Sequence, residues 1–272
     1  MIFWKYHGIG NDFILFDCMN NDAPMSADAV KKMCDRNFGI GADGVLYILP
    51  GIGTDLTMRI MNADGTEAEM CGNGIRCVAK HAYDNGIVKK RTFTIHTLAG
   101  DLEANVVNGL IEIDMGRPIL NCRDIPMNCD GQFVNKPIKA GNKELTGTGV
   151  SMGNPHLVTF DDFTDKEIRD LGPMLEQHPL FPNRTNVEFA KVVKGKIYIK
   201  VYERGAAWTM ACGTGACATT VAAALNGTVE YDKPVDIRLP GGWLKITVDR
   251  ELKHVMMAGP AELVYKGEIN EL

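Results

Sequence analysis

The chain carries the same short motif twice, and each copy leads into an apolar, alanine-rich segment. The string Cys-Gly-polar-Gly occurs at residues 71–74 and again at residues 212–215. A thiol at the start of a helix lies beside exposed N–H groups and the positive end of the helix dipole, which favour the thiolate. A chain that builds this feature twice is constrained to fold as two similar halves, with one reactive cysteine in each.

Other polar residues repeat in register with the two cysteines. The matching positions, in chain order, are Asn11 with Asn154, Asn62 with Glu203, and Cys71 with Cys212. Three matches in the same order at nearly the same spacing favour an internal duplication. We therefore expect two similar domains related by a pseudo-twofold axis, with one site in the cleft between them.

Short β-rich runs outnumber helical patterns along the chain, which indicates an α+β fold whose strands are mostly antiparallel. Ser26 and Thr164 stand at N-cap positions, and Glu167 completes a capping-box spacing with Thr164. The best boundary is the Gly-Arg-Pro at 116–118. The predicted helices cover 26–36, 74–85, 164–177 and 215–226. The predicted strands cover 2–6, 12–17, 45–49, 56–61, 92–97, 110–114, 156–160, 187–193, 196–203, 235–239, 244–248 and 254–257.

Composition narrows the functional classes. The 272 residues are 45% hydrophobic and 23% charged, with a net charge of −5. These values are typical of a soluble globular protein and argue against nucleic-acid binding.

The N-terminus lacks a signal-peptide layout, and no apolar run is long enough to span a membrane. We expect a cytoplasmic protein whose eight cysteines are thiols. Four of these, Cys18, Cys34, Cys122 and Cys129, lie outside any motif and are interpreted as structural.

Two alternative sites are disfavoured by their context. Residues 39–44 fit Gly-x-Gly-x-x-Gly, but a helical pattern precedes them and a strand pattern follows, the reverse of a dinucleotide fingerprint. They are better explained as a turn. Cys77 and Cys217 follow the motif cysteines but belong to the bodies of the predicted helices, so we expect small buried side chains rather than metal ligands. The sequence predicts neither a metal nor a cofactor.

The paired motifs suggest acid–base chemistry at two thiols. Backbone N–H groups at two helix starts would hold a carboxylate, and one thiolate with one thiol near neutral pH could remove a proton from a carbon and return another on its opposite face. A Cys–His nucleophile using His156 remains an alternative, but it leaves one of the two motif cysteines without a role.

These motifs resemble the diaminopimelate epimerase family along nearly the whole chain. The matching strings are His7-Gly-x-Gly-Asn-Asp-Phe13, Asn62-Ala-Asp-Gly65, Cys71-Gly-Asn-Gly74 with Arg76-Cys77, Ser151-Met-Gly-Asn-Pro-His156, Glu203-Arg-Gly205, Ala211-Cys-Gly-Thr-Gly-Ala-Cys217 and Leu239-Pro-Gly-Gly242.

The resemblance implies two pseudo-symmetric α+β domains, each a mostly antiparallel β-sheet wrapped around a central helix. It places the N-terminal domain at 1–116 with a returning strand at 261–272, and the C-terminal domain at 117–260. It implies interconversion of LL- and meso-2,6-diaminopimelate for lysine and peptidoglycan precursors, without pyridoxal phosphate or metal, in a possible homodimer.

The resemblance also implies roles for individual residues. Cys71 and Cys212 would be the two bases, and His156 and Glu203 would tune their protonation. The residues expected to bind substrate are Asn11, Asn62, Gly72, Asn73, Asn154, Asn186, Glu203, Arg204, Gly213 and Thr214. Three positions depart from the family: Gly44 replaces a Gln found in some members, and Ala207 and Trp208 stand where Gly and Glu are more common. The rival hypotheses are an isomerase of another amino acid and a sheet protein that binds small zwitterions.

Overall fold

The computed structural model describes residues 1–20 and 24–269. The chain divides into two compact units, Met1–Asp114 with Ala258–Leu272 (unit 1) and Met115–Met257 (unit 2). The domains predicted from the sequence, 1–116 with 261–272 and 117–260, stay a prediction, because compact units within one chain need not be domains that fold independently.

The described residues form eighteen strands and four α-helices, with a 3₁₀ turn at Cys122–Asp124. In chain order these are β1 (Ile2–Gly8), β2 (Asn11–Asp17), α1 (Ala27–Cys34), β3 (Gly44–Pro50), β4 (Leu56–Asn62), β5 (Glu67–Ala68), α2 (Gly72–Asp84), β6 (Thr92–Thr97), β7 (Gly100–Val107), β8 (Leu110–Asp114), β9 (Lys136–Ala140), β10 (Lys143–Ser151), β11 (Pro155–Thr159), α3 (Asp165–Glu176), β12 (Asn186–Val193), β13 (Lys196–Glu203), β14 (Ala207–Trp208), α4 (Gly213–Leu225), β15 (Val235–Leu239), β16 (Gly242–Val248), β17 (Val255–Gly259) and β18 (Glu262–Glu268).

The two units repeat one order of strand pairing. In unit 1, β1 pairs antiparallel with β2, β2 parallel with β3, β3 antiparallel with β4, β4 parallel with β6, and β6 antiparallel with β7. In unit 2, strands β10, β11, β12, β13, β15 and β16 pair in the same order and senses. The predicted α+β class with two pseudo-symmetric halves is confirmed.

Four strand pairs are parallel in a fold predicted to be mostly antiparallel: β2 with β3, β4 with β6, β11 with β12, and β13 with β15. Helix α1 connects β2 to the parallel β3, and α3 connects β11 to the parallel β12. A parallel pair needs such a crossover, and a helix supplies it. Both helices begin as predicted: Ser26 accepts from the N–H of Ala29, and Thr164 forms a capping box with Glu167.

Each unit packs one buried helix against its sheet. Helix α2 contacts β1, β2, β3, β4, β7 and β8, and α4 contacts β10, β11, β12, β15 and β16. Helix α4 is almost wholly apolar and buried, which is the pattern of a helix enclosed on every side. Cys77 and Cys217 lie in these helices and are fully buried, as predicted.

Three strands longer than two residues were missed. Strand β7 buries only one of its eight residues, and β9 is short. The returning strand that the resemblance implies at 261–272 corresponds to β18, which pairs with β1. Strand β10 is interrupted by glycines, which weaken a strand pattern. A Cβ at Gly147 would lie 2.7 Å from Leu157 Cδ1, so this strand needs glycine in order to pack.

The expectation that all eight cysteines are thiols is wrong for two of them. Cys122 and Cys129 form a disulfide with a Cα–Cα distance of 5.6 Å. The N–H of Met127 donates to the carbonyl of Cys122, which turns the chain back and brings the two thiols within bonding range. Cys18 and Cys34 are buried thiols in the core of unit 1.

No helix within residues 1–20 and 24–269 is long and apolar enough to cross a membrane. Residues 39–43 lie in the connection from α1 to β3, which begins at Gly44, so the Gly-x-Gly-x-x-Gly string lies between these elements as expected.

Candidate active site

The two motif cysteines occupy the same position in equivalent helices. Cys71 is the N-cap of α2, with φ −138° and ψ 119°, and Cys212 is the N-cap of α4, with φ −126° and ψ 105°. Neither helix has a side-chain cap or an acidic residue in its first turn. The first N–H groups and the positive end of each dipole are therefore uncompensated within the helix, as an anion site requires.

The second glycine of each motif leaves room for a different neighbour. A Cβ at Gly74 would lie 3.0 Å from Leu46 Cδ2. A Cβ at Gly215 would lie 2.8 Å from Glu188 Oε1 and 3.1 Å from Cys212 Sγ. Glycine at position 215 thus allows a carboxylate to approach the thiol.

In unit 1, two predicted residues gather at Cys71. The Sγ of Cys71 lies 3.6 Å from Asn11 Oδ1, and Asn73 Nδ2 donates to the same oxygen at 3.1 Å. The β1–β2 hairpin places Asn11 there: its two-residue turn, Ile9-Gly10, has positive φ at both positions, as a tight hairpin requires.

Asn62 lies at the end of β4, where its Nδ2 donates to Thr66 Oγ1 at 3.0 Å. Its backbone neighbour across the ladder is Gly44. A Cβ at Gly44 would lie 2.6 Å from the carbonyl oxygen of Met61, so the backbone here accommodates glycine rather than the Gln of some family members.

In unit 2, a line of polar side chains leads away from Cys212. Its Sγ lies 3.6 Å from Thr214 Oγ1, to which Asn154 Nδ2 donates at 3.4 Å. His156 Nε2 lies 3.0 Å from Asn154 Oδ1, and its Nδ1 lies 2.7 Å from Glu188 Oε1. The side chains of His156 and Glu188 are completely buried.

Burial controls the electrostatics at Cys212. Burial raises the pKa of its thiol well above the usual value, the charges of Glu203 and Glu188 raise it further, and contacts with Thr214 and the Gly215 N–H oppose the rise. The sequence-based expectation of a lowered pKa is therefore wrong for Cys212, because burial and two carboxylates outweigh the helix terminus. Burial also raises the pKa of Glu188, against the opposing effect of His156.

Glu203 and Arg204 lie on the segment before Cys212, and Asn186 at the start of β12 contacts that segment. Asn186 is buried, donates to the carbonyl of Pro155 at 3.0 Å and accepts from the N–H of Arg204 at 2.9 Å. Glu203 Oε1 accepts a hydrogen bond from Thr209 Oγ1. The exposed Arg204 side chain donates to the carbonyl of Asn183 at 3.4 Å.

Trp208 stands where glutamate is more common in the family, and it packs against aromatic side chains of unit 2. Its ring stands edge-on to Tyr202 at 5.1 Å, and it approaches Phe189 at 6.0 Å. A Cβ at Gly172 of α3 would lie 2.9 Å from the Trp208 ring. The indole thus anchors the segment before Cys212 to α3.

Sequence reasoning missed two buried carboxylates. Glu188 adjoins Cys212 and His156, and its Oε2 is buried without a hydrogen-bond partner. Glu176 accepts from the N–H of Gly205 at 3.2 Å and supports the same segment as Trp208. A lone acidic residue inside the apolar run of β12 was the signal for Glu188, because charged side chains are rarely buried without a reason.

These features define a class of α+β protein with one helix-capping cysteine in each of two topologically equivalent units. A family model described as diaminopimelate epimerase matches residues 3–120 and 148–264. The stretch between the two matches contains the Cys122–Cys129 disulfide.

Relatives match over their whole length. The chain is 45% identical to the diaminopimelate epimerase of Acetivibrio thermocellus, covering 100% of both chains. It is 48% identical to that of Pelotomaculum thermopropionicum and 46% identical to that of Synechocystis sp., covering 98% of each chain. The chain belongs to the diaminopimelate epimerase family, which confirms the resemblance seen in the motifs.

Solved structures share the fold at low identity. A phenazine biosynthesis protein of the PhzF family from Bacillus anthracis has a TM-score of 0.71 at 15% identity, covering 100% of this chain and 99% of that one. A probable proline racemase from Agrobacterium radiobacter K84 has a TM-score of 0.70 at 14% identity, with coverage of 98% and 92%.

Proposed function

We propose that this protein interconverts LL- and meso-2,6-diaminopimelate by moving a proton at one α-carbon between two thiols, in the supply of lysine and peptidoglycan precursors. The observation that carries the proposal is the equivalent placement of Cys71 and Cys212 at the N-caps of α2 and α4. A reversible reaction between two configurations of one carbon needs two bases, and a duplicated fold supplies two similar ones.

The helix starts would supply the electrostatic part of catalysis. An amino-acid α-hydrogen is a very weak acid, so the carbanion needs help. N–H groups of Gly72, Asn73, Gly213 and Thr214 would stabilise the negative charge that grows on the reacting carboxylate. In one direction a thiolate removes the α-proton while the other cysteine, as a thiol, delivers a proton to the opposite face. The reverse direction exchanges the two roles.

The distal end of the substrate is a zwitterion, and the remaining predicted residues suit it. Arg204 would pair with its carboxylate, and Glu203 with its ammonium group. Asn11, Asn62, Asn154 and Asn186 would supply amide donors or acceptors. Fixed contacts of this kind are what allow one configuration of the distal carbon to be selected.

His156 and Glu203 would set the protonation of Cys212, and Glu188 joins them because it lies against both His156 and the thiol. The raised pKa of Cys212 means that the free enzyme holds this group as a thiol at neutral pH. Substrate binding would then have to stabilise the thiolate of Cys212 so that this cysteine can lose its proton.

Proton NMR of LL-diaminopimelate in D₂O, with reduced protein and no added cofactor, tests the proposal. We expect the meso isomer to appear with deuterium at the inverted carbon, while the remaining LL substrate keeps its proton at early times. Deuterium in recovered substrate at the same rate would contradict the two-base mechanism.

Cysteine variants sharpen the test. Cys71→Ser and Cys212→Ser should bind substrate yet lose most turnover. The matched controls are Cys77→Ala and Cys217→Ala, which change a buried thiol in the same helices and should retain activity. An isomerase of another amino acid would instead leave diaminopimelate unchanged and act on a smaller substrate such as proline. In that case Arg204→Ala would spare the activity.

We also propose a cytoplasmic homodimer. Precursor biosynthesis would place the protein with its substrate in the cytoplasm, and fractionation of cells should recover it there. Strand β18 exposes Leu263, Val264 and Tyr265 at 51%, 55% and 43%, an apolar surface that a second copy would cover. Sedimentation equilibrium of a monomer at micromolar concentration would contradict the dimer.

A further inference from the structure

An unbroken line of side chains links a buried cation to a carboxylate and passes Cys71. Arg76 is completely buried, and its Nη2 donates to Asn73 Oδ1 at 2.9 Å. Asn73 Nδ2 donates to Asn11 Oδ1 at 3.1 Å, and Asn11 Nδ2 donates to Asp43 Oδ2 at 2.7 Å. Every link in the line is a donor meeting an acceptor.

The two ends of this line fix the direction of both amides. A guanidinium can only donate hydrogen bonds, and an ionised carboxylate can only accept them. Arg76 therefore holds the carbonyl end of Asn73, and Asp43 holds the NH₂ end of Asn11. With both amides fixed, Asn11 must present its carbonyl oxygen to Cys71 Sγ, 3.6 Å away.

Asp43 is itself held in place. Its Oδ1 accepts from Arg36 Nη2 at 2.8 Å, and its Oδ2 also accepts from the backbone N–H of Asp12 at 3.1 Å. Arg76 is held by the carbonyls of Gly72, at 2.9 Å, and Pro260, at 3.3 Å. Neither end can turn without losing these bonds.

Unit 2 uses the opposite orientation at the equivalent position. There the carbonyl of Asn154 faces His156, and its NH₂ group faces Thr214 on the side of Cys212. The orientation of the asparagine is therefore set by its partners and not by the shared backbone.

We propose that Asp43 and Arg76 are positioning residues for Cys71: together they orient Asn11 so that its carbonyl accepts a hydrogen bond from the thiol. The role rests on the proposed function, in which Cys71 is one of the two bases. A carbonyl oxygen accepts from a thiol but has nothing to accept from a thiolate. The orientation thus favours protonated Cys71 before substrate arrives.

The test measures the rate of alkylation of Cys71 by iodoacetamide against pH, by peptide mass spectrometry, in a Cys212→Ser background. The other free cysteines are buried and Cys71 is half-buried, so Cys71 is the most accessible target. Asp43→Asn replaces a carboxylate that can only accept by an amide that can also donate, so the orientation of Asn11 is no longer fixed. Because the net value of one hydrogen bond corresponds to roughly a fivefold change in equilibrium, we expect alkylation near pH 7 to be roughly fivefold faster.

The effects of charge and of side-chain position on the alkylation of Cys71 need separate control variants. The charged groups joined to this line of side chains, directly or through ion pairs, are Lys5, Asp12, Arg36, Asp43 and Arg76. Asp12→Asn removes a neighbouring charge but no contact of the Asn11 side chain, and should leave the alkylation profile close to the parent. Asp43→Glu keeps the charge but displaces the oxygens, and should reproduce the faster alkylation if Asp43→Asn does not fold.

A double-mutant cycle tests whether Asp43 affects Cys71 through Asn11. In an Asn11→Ala background, Asp43→Asn should have no further effect on Cys71. An unchanged profile in Asp43→Asn, an equal change in Asp12→Asn, or additive effects of Asp43→Asn and Asn11→Ala would overturn the proposal. Since the assay reads Cys71 without any substrate, its result is distinguishable from a failure of the diaminopimelate experiment.

Discussion

His81, in the last turn of α2, makes unit 1 sensitive to acid. The side chain is completely buried, its ring lies 4.6 Å from that of Trp4, and its Nδ1 lies 3.4 Å from the Tyr6 hydroxyl. Burial lowers the pKa of His81 from 6.5 to about 4, against the opposing charges of Asp17 and Asp84. The folded protein therefore keeps this imidazole neutral at pH values where an unfolded chain would protonate it.

The sign and size of the effect follow from linkage. The stabilisation is fully present above pH 6.5 and is lost as the pH falls towards 4, because protons bind preferentially to the unfolded state. With these two pKa values the free energy of unfolding drops by about 1 kcal/mol between neutral pH and pH 5.5, and by about 2 kcal/mol between neutral pH and pH 4.5.

The assay is urea denaturation followed by Trp4 fluorescence, at several pH values, in a Trp208→Phe, Trp243→Phe background that leaves one tryptophan. His81→Phe keeps an aromatic ring but cannot titrate, so its stability should fall less with acid by the amounts above. His96→Phe, at an exposed histidine, should follow the parent. Parallel pH curves for His81→Phe and the parent would refute the reasoning.

Three further results are expected around Cys212. Glu188→Gln should lower the pKa of the Cys212 thiol, seen as alkylation at lower pH in a Cys71→Ser background, whereas Glu176→Gln should not. Gly215→Ala should reduce kcat at least tenfold in the deuterium assay, because its Cβ would meet Glu188 Oε1 at 2.8 Å; activity equal to the parent would contradict this crowding. Gly172→Ala should lower the stability of unit 2 by about 1–3 kcal/mol in urea, since its Cβ would lie 2.9 Å from two aromatic rings; a gain from helix propensity alone would contradict it.

The duplication, the helices and most strands were readable from the sequence because each depends on local pattern. Capping residues and apolar runs identify an element wherever it packs. The parallel pairing of β2 with β3 was not readable, because it depends on where α1 places the next strand. Strand β10 was not readable either, because Gly147 interrupts its pattern. The reason for this glycine is its contact with Leu157, which the sequence alone does not show.

The residues of the candidate site also differ in whether a local sequence pattern reveals them. A cysteine followed by Gly-x-Gly at a helix start is a local signal, so Cys71 and Cys212 could be proposed from the sequence. Asp43 and Glu188 could not, since each is linked to the surroundings of its cysteine by contacts between distant parts of the chain. The disulfide at Cys122 was missed for a related reason, because a turn rather than a motif brings its partner near.

The two units share the backbone geometry at the motif cysteines and differ in the side chains around them. The N-cap geometry of the two cysteines is nearly the same, but Asn11 is held by a carboxylate and Asn154 by His156. The proposed reaction needs one thiolate and one thiol once substrate is bound, whereas the contacts around both cysteines favour the thiol before that. A duplicated scaffold supplies equal positions, and the side chains that orient each asparagine make the surroundings of the two thiols different.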